Sequence, residues 1–321
     1  MGMKGIAFSI VILFLVWLFF LIVFTQQAHF FEISKIDTLK NRINSMVILF
    51  DSISRDSEKA MVIIAKRAMN AAINKVIEEG KGLTSANKTI VELIVNGTIN
   101  NDLQPLMENS TLKDWINKMI FLANQKGFFL TIDIINIFIY LNDSFNLAIE
   151  YKFKITIKDE KTDSRISKTI EKTAYSSILN LEDPLYPLNT LGRVTNYFRE
   201  SPHWMNYTNV SKLLDDLNNS YYHISLNGAS FLDRLEGKYF VQDKYRVTKN
   251  YVGLESFVNK DKILISGLPI RINQTNIDYL YFSNYNTTSY KILGMPDNFR
   301  LDNETTVFNK THLQIYNATI V

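Results

Sequence analysis

The chain has 321 residues, of which 46% are hydrophobic, so it can bury more than one packed core. Its formal net charge is only +3, and its 35 Lys and Arg residues are spread among 32 Asp and Glu residues, which argues against a nucleic-acid partner. Cysteine is absent, which excludes disulfides, thiolate metal sites and a cysteine nucleophile.

An uncharged apolar run covers residues 6–24. A helix of this length, at about 1.5 Å per residue, just spans a hydrocarbon core of roughly 30 Å. The run is mostly Ile, Leu, Phe and Val, each of which favours insertion by roughly 0.3–0.6 kcal/mol. Residues 25–28 lack the small-x-small pattern at which a secretory signal is cleaved. We therefore expect residues 1–25 to remain as a transmembrane anchor in the lipid bilayer.

The dipeptide Lys4-Gly5 stands directly before this apolar run. It resembles the prepilin-type, or class III, signal of archaeal type IV pilin-like proteins, and the resemblance implies a cut between Gly5 and Ile6. Many such prepilins carry a Glu five residues into the mature chain. Here that position is Ile10, a departure that puts filament assembly in doubt.

The side of the membrane is not decided by basic residues, because Lys4 lies on one flank of the run and Lys35, Lys40 and Arg42 lie on the other. Twelve Asn-x-Ser/Thr sequons, against about four or five expected by chance, favour an extracytoplasmic location and N-glycosylation. The alternative is an Asn-rich composition that produces sequons incidentally. The sequon asparagines are Asn87, Asn96, Asn109, Asn142, Asn206, Asn209, Asn218, Asn273, Asn286, Asn303, Asn309 and Asn317.

Neither Gly nor Pro occurs between Gly5 and Gly80, which predicts one long helix with a stalk over residues 26–80. Apolar residues at three-four spacing predict a stripe along its first half, and the phase then slips at Met61. The slip favours packing on the protein's own soluble part over a long coiled coil. The stripe consists of Ile36, Leu39, Ile43, Met46, Phe50 and Ile53.

Residues 81–180 are predicted to form helices followed by a sheet. Ser85 is a candidate cap for a first helix, and Ser110 or Thr111 for a second. Strict alternation over residues 147–157, flanked by β-rich runs at 128–141 and 165–175, predicts a three-stranded antiparallel meander.

Residues 181–321 are predicted to be a mixed region that starts at a Pro-rich break, Asp183-Pro184-Leu185-Tyr186-Pro187. The predicted helices cover 190–200, 209–218 and 229–236, and the predicted strands cover 262–270, 276–282, 289–293 and 312–319. The fold class expected for the whole chain is α+β, with a long transmembrane-plus-stalk helix packed on the β-meander and a second mixed α/β region after it.

Three segments, 183–186, 230–237 and 253–258, look like segments of uncharacterised archaeal surface proteins related to type IV pilins. In this chain they read DPLY, SFLDRLEG and GLESFV. The resemblance implies a membrane-anchored cell-surface protein, and it carries no catalytic residue onto this sequence.

Residues that could carry chemistry are scattered. Gly228-Ala229-Ser230 begins like a hydrolase nucleophile elbow, but Leu232 replaces the closing Gly. Asp215-Asp216 and the pair Asp233 and Glu236 are predicted to be surface charges. The four histidines, predicted to be isolated and solvent-facing or hydrogen-bonded, are His29, His203, His223 and His312.

Aromatic residues gather between positions 279 and 290. They are predicted to be mainly core residues of a strand, with a sugar- or protein-binding surface as the alternative. These residues are Tyr279, Tyr281, Phe282, Tyr285 and Tyr290.

The sequence as a whole indicates a non-enzymatic, pilin-like structural or interaction protein, anchored in the membrane, without a cofactor or a metal. An anchored hydrolase of envelope polymers is one alternative. The other is an assembly partner that binds further anchored surface subunits through its stalk.

Overall fold

The structure is a computed structural model that describes residues 3–246 and 251–321. Within the first helix the side chains of residues 3–7, 9, 10, 28, 31, 33 and 34 lie outside the description. The α-helices are α1 (Met3–Glu79), α2 (Ala86–Asn96), α3 (Leu112–Asn124), α4 (Leu185–Asn189), α5 (Val210–Asn219), α6 (Phe231–Leu235), α7 (Lys260–Ile265), α8 (Asp278–Ser283) and α9 (His312–Ile315). The strands are β1 (Thr98–Ile99), β2 (Asp102–Leu103), β3 (Phe128–Leu141), β4 (Asn146–Asp159), β5 (Arg165–Ser177), β6 (Tyr222–Ser225), β7 (Gly253–Ser256), β8 (Ser289–Lys291) and β9 (Arg300–Asp302).

The predicted long N-terminal helix is confirmed by α1, which ends at Glu79, directly before Gly80. Gly80 adopts a φ of 63°, a conformation that stops a helix and that glycine adopts at little cost. Only part of the predicted stripe is buried. Met46, Phe50 and Ile53 are buried, whereas Ile36 is 64% exposed.

The chain divides into two compact units, residues 1–54, 119–132 and 155–168 in one and residues 55–118, 133–154 and 169–321 in the other. In the first unit, the Arg42 guanidinium donates hydrogen bonds to the Asp159 carboxylate and to the carbonyl oxygens of Lys126 and Gly127. Hydrogen bonding to Arg42 holds the pKa of Asp159 well below its usual value. This ion pair joins α1 to the end of β4.

The predicted meander is confirmed, with strand order β3-β4-β5. The alternate residues of β4 that were predicted to face the core are all at most 1% exposed. In the second unit, α1 lies against the sheet, because Ser57 Oγ and Tyr151 Oη are 3.0 Å apart. Lys66 Nζ also donates to the carbonyl oxygens of Ser177 and Leu179, at 2.6 and 2.7 Å.

The C-terminal region departs from several predictions. The predicted strands 262–270, 276–282 and 312–319 are wrong, because α7, α8 and α9 occupy those places. Local caps explain two of these helices: the Asn259 side chain accepts from two backbone N–H groups of α7, and the Gln314 side chain accepts from the Thr311 backbone N–H at 3.0 Å at the start of α9. The predicted helix 190–200 is also wrong. Gly192, with a φ of 74°, lies in a turn there.

Helices α5 and α6 and strand β8 confirm the predictions at 209–218, 229–236 and 289–293. In the N-terminal half, Thr111 Oγ1 accepts from Asp114 N–H at 3.1 Å, so Thr111 caps α3 as predicted. Ser85 holds the N-cap position of α2 but makes no capping hydrogen bond through its side chain.

No helix within the described part of the chain is both long and apolar enough to cross a membrane. Within the apolar run of the predicted anchor, the side chains of residues 6, 7, 9 and 10 are among those that the structure does not describe. At the predicted processing site, Gly5–Ile6, the structure describes the helical backbone but not the Ile6 side chain.

Strands β6 and β7 depend on two glycines at which backbones meet. A Cβ atom on Gly253 would lie 2.1 Å from the carbonyl oxygen of Gly228, and one on Gly228 would lie 2.3 Å from the carbonyl oxygen of Leu254.

We predict that Gly253→Ala lowers the free energy of unfolding by about 1–3 kcal/mol, because the backbone must shift to make room for the added Cβ atom. Chemical denaturation measures this change. Gly192→Asn is the control, since nothing lies within 4 Å of its added Cβ and asparagine tolerates the positive φ of 74° at this position better than other residues with a side chain. An equal loss in both variants would contradict the prediction.

Candidate functional site

Strands β6 and β7 form a two-stranded antiparallel ribbon. In its register His223 is opposite Glu255, and Tyr222 is opposite Ser256. Because successive side chains of a strand point to opposite faces, each face of the ribbon carries one of these pairs. All four residues are at most 1% exposed. The ribbon therefore buries polar groups on both faces, and each face must supply partners for them.

The histidine face joins β6 to α5 and α9. His223 Nε2 lies 2.8 Å from an Asp216 carboxylate oxygen, and its Nδ1 lies 3.1 Å from Tyr316 Oη. Tyr316 Oη donates to Glu255 at 2.6 Å. Tyr207 Oη donates to the same Asp216 carboxylate. Burial raises the pKa of Asp216, but His223 and the hydroxyl donors outweigh it, so the pKa is lowered.

His312 continues this face and lies between two carboxylates. Its Nδ1 is 2.5 Å from Asp302 Oδ1, and its Nε2 is 3.3 Å from Glu255 Oε2. Burial alone lowers the pKa of His312, but the attraction of Glu255 and Asp302 raises it to about 10. His312 in turn lowers the pKa of both carboxyl groups, against the opposing effect of their burial. The trio is thus an imidazolium held between two carboxylates.

The opposite face is organised by Arg234 of α6, which is fully buried. Its Nη1 donates to Asp183 at 2.5 Å and to Asp278 at 2.8 Å, and its Nη2 donates to the Leu254 carbonyl at 2.7 Å. The ribbon residues complete the group, because Tyr222 Oη donates to Asp183 and Ser256 Oγ donates to Asp278. Burial opposes the charge on Arg234, but the two carboxylates outweigh it and raise its pKa.

The candidate nucleophile Ser230 is the N-cap of α6, where its hydroxyl donates to Asp233 and both residues are fully buried. Burial raises the pKa of Asp233 to about 6. Glu236 accepts from Lys244 at 2.6 Å and from Tyr245 at 2.5 Å. The prediction that Asp233 and Glu236 are surface charges is therefore wrong, because each satisfies donors in the interior.

His203, Asp215 and Asp216 have ligand atoms within 4.8 Å of one another, a spacing compatible with a metal ion. These ligand atoms already make hydrogen bonds within the protein. His203 Nε2 lies 2.8 Å from Asp215, and both Asp216 oxygens accept from Ser201 Oγ at 2.8 and 2.9 Å. With Tyr207 and His223 also on Asp216, three protein groups already donate to this carboxylate. The prediction that Asp216 is a surface charge is wrong, since it is fully buried.

Cavities of about 570, 340 and 300 Å³ occur in the second unit. The smallest of these is lined in part by Tyr279, whose ring centroid lies 6.4 Å from that of His312. The largest is lined by residues between Asn96 and Asn117, around Met107 and Lys113. The charged side chains of the ribbon ion pairs are not among the residues that line these three cavities. The arrangement holds charge in the interior.

Three of the five residues in the predicted aromatic group lie on α8, and the other two follow it. Tyr279, Tyr281 and Phe282 are buried, as predicted for core residues, although they lie on a helix and not on a strand. Tyr285 is 46% exposed. Only this last residue and the half-buried Tyr290 retain contact with solvent.

A comparison of the chain with family models, curated proteins and solved structures finds no match in any of the three.

We predict that Arg234→Met destabilises the protein by about 3–5 kcal/mol, because it leaves Asp183 and Asp278 as buried charges without their partner. Unfolding by urea in a mild detergent measures the loss. The matched control is Lys291→Met, which breaks an exposed ion pair with Asp297 and should cost at most about 1 kcal/mol. Adding Asp183→Asn and Asp278→Asn to Arg234→Met should restore part of the stability. No difference between the buried and the exposed variant would overturn this account.

A second prediction concerns pH. Because the folded pKa of His312 is about 10, above its usual 6.5, its ion pairs contribute fully below pH 6.5 and are lost as the pH rises towards 10. His312→Gln should therefore destabilise the protein by several kcal/mol at pH 6 and by clearly less near pH 10. Unfolding of both chains across this range measures the difference. A gap that stays constant with pH would contradict a charged His312.

Proposed function

We propose that this protein is a membrane-anchored structural or interaction protein of the cell surface, pilin-like and non-enzymatic, which displays a folded module on a helical stalk. One observation carries the proposal. From Val11 to Ile22, every side chain of α1 is apolar and between 41% and 71% exposed. Twelve consecutive residues cover more than three helical turns, so the apolar surface surrounds the helix on all sides.

Lipid is the environment that covers such a surface most simply. A globular partner buries one face of a helix, whereas hydrocarbon surrounds it. The apolar residues with described side chains from Val11 to Phe24 would extend over only about 21 Å, at about 1.5 Å per residue. The sequence continues the run back to Ile6, which brings the length to about 28 Å and matches a bilayer core of roughly 30 Å.

The interior of the C-terminal region supports the non-enzymatic part of the proposal. Four chemically capable side chains, His223, His312, Glu255 and Ser230, are buried, and each is hydrogen-bonded to another protein side chain. A catalytic group must reach a substrate in a cleft. The cavities described above are lined by other residues.

One observation favours assembly with other anchored subunits as a second role. On the stalk, Ile36, Leu39 and Ile43 repeat at helical spacing and are 39–64% exposed. This stripe lies just beyond the apolar run, where a neighbouring anchored helix would meet it. We propose this role as an addition to the anchor, and it predicts that the three side chains become covered in the assembled state.

Membrane fractionation of the full-length chain tests the anchor. We predict that the protein resists carbonate and high salt and is released only by detergent. Leu15→Lys with Phe19→Lys should abolish stable insertion, because each charge costs about 2.5–3.5 kcal/mol near the bilayer centre. Gln27→Lys with Phe30→Lys adds the same charge beyond the run and should leave insertion unchanged. Release of the unmodified chain by carbonate alone would refute the proposal, and the mass of the isolated chain shows whether Gly5–Ile6 is cut.

A further inference from the structure

The asparagines of the C-terminal region, residues 181–321, fall into two groups that differ in exposure. All eight that belong to Asn-x-Ser/Thr sequons are exposed. Of the eight others with described positions, only Asn284 is exposed. The exposed sequon group is Asn206, Asn209, Asn218, Asn273, Asn286, Asn303, Asn309 and Asn317. The buried or half-buried group is Asn189, Asn196, Asn219, Asn227, Asn259, Asn276 and Asn298.

This contrast bears on why the sequons exist. If an Asn-rich composition produced them incidentally, sequon and non-sequon asparagines would share the same range of burial. The contrast is confined to the C-terminal region, because in residues 35–180 two of the four sequon asparagines, Asn96 and Asn109, are exposed, as are ten of the eleven others. In the C-terminal region the sequon asparagines lie at the surface, where the side chain can carry a bulky hydrophilic substituent without disturbing the core.

The hydrogen bonds separate the two groups further. Asn196 Nδ2 donates to the Ser220 carbonyl and to Tyr222 Oη, and Asn276 Nδ2 donates to the Val258 carbonyl. Non-sequon amides of this kind are structural. Among the eight sequon asparagines, only Asn317 donates its amide to a residue in the described part of the chain, to the Tyr207 carbonyl at 3.1 Å. The Asn209 side chain caps α5 through its oxygen, which leaves its nitrogen available.

We propose that the C-terminal region is N-glycosylated at its exposed sequons, with Asn317 the least occupied because its amide hydrogen-bonds to the protein. The donor is a lipid-linked oligosaccharide. The Asn Nδ2 atom forms a bond to the anomeric carbon of the first sugar, the bond from that carbon to the lipid phosphate breaks, and the amide gives up one proton as the lipid phosphate leaves. The inference rests on the extracytoplasmic location in the proposed function, because such transfer takes place on that side of the membrane.

The loop at residues 284–288 offers a matched pair of variants. In the sequon Asn286-Thr287-Thr288, Thr288→Ala removes the acceptor signal and keeps Asn286, whereas Thr287→Ala changes the neutral middle position. Thr288 is exposed, and the Thr287 hydroxyl has no hydrogen-bond partner among residues 3–246 and 251–321. Neither change therefore removes a described contact on which the fold depends.

The test is intact-mass and glycopeptide mass spectrometry on the full-length protein and both variants, isolated from the native host's membranes. We expect glycans on the exposed sequons, loss of one glycan mass in Thr288→Ala, and no loss in Thr287→Ala. An unglycosylated chain, or loss of the same glycan in both variants, would overturn the inference.

Digestion of intact cells by an external protease separates the proposal of glycosylation from the proposal of an external location. A chain that is cleaved from outside yet unglycosylated refutes glycosylation alone, and a chain that is protected and unglycosylated refutes the external location as well.

Discussion

The C-terminal region depends on one constraint, the burial of charge on both faces of the ribbon of β6 and β7. Removing ionised groups from water costs several kcal/mol per ion unless partners and hydrogen bonds replace the lost hydration. The ribbon meets this requirement through His312 between two carboxylates on one face and Arg234 between two carboxylates on the other. Since a one-residue slip in register would exchange the two faces, the ion pairs also fix the pairing of the strands.

The same constraint explains why so many short elements can form one region. Helices of four to six residues are not stable alone, because nucleation is unfavourable and few hydrogen bonds follow it. In this protein α6, α8 and α9 each deliver one charged side chain to the ribbon, namely Arg234, Asp278 and His312. Each helix is thus held by an interaction with a residue distant in sequence. A hydrophobic cluster that includes Phe257, Phe299 and Leu301 fills the space beside them.

Sequence reasoning succeeded where the pattern is long and failed where it is short. The unbroken α1 follows from the absence of Gly and Pro over more than seventy residues, and the meander β3-β4-β5 follows from alternation over about ten residues with β-rich runs on both sides, so both were predictable. Around residues 262–282 the β-branched and aromatic residues suggested strands, but caps such as Asn259 and the ion pair at Asp278 stabilise helices there. Asp233 and Glu236 were predicted to lie on the surface because their partners, including the backbone of Gln242 and Ala86, are not visible as a spacing. A run such as Glu255-Ser256 inside an apolar segment is the signal that could have revealed the buried faces.

The two ends of the sequence expose residues of different polarity, which connects the proposed anchor to the proposed glycosylation. The apolar side chains exposed between Val11 and Phe24 are unfavourable in water, whereas the exposed asparagines of residues 181–321 are unfavourable in hydrocarbon. No sequon occurs before Asn87, and none interrupts the apolar run. A chain confined to one solvent would have no reason to sort its exposed residues in this way. The partition is the one expected when lipid covers the beginning of α1 and a hydrated exterior surrounds the C-terminal region.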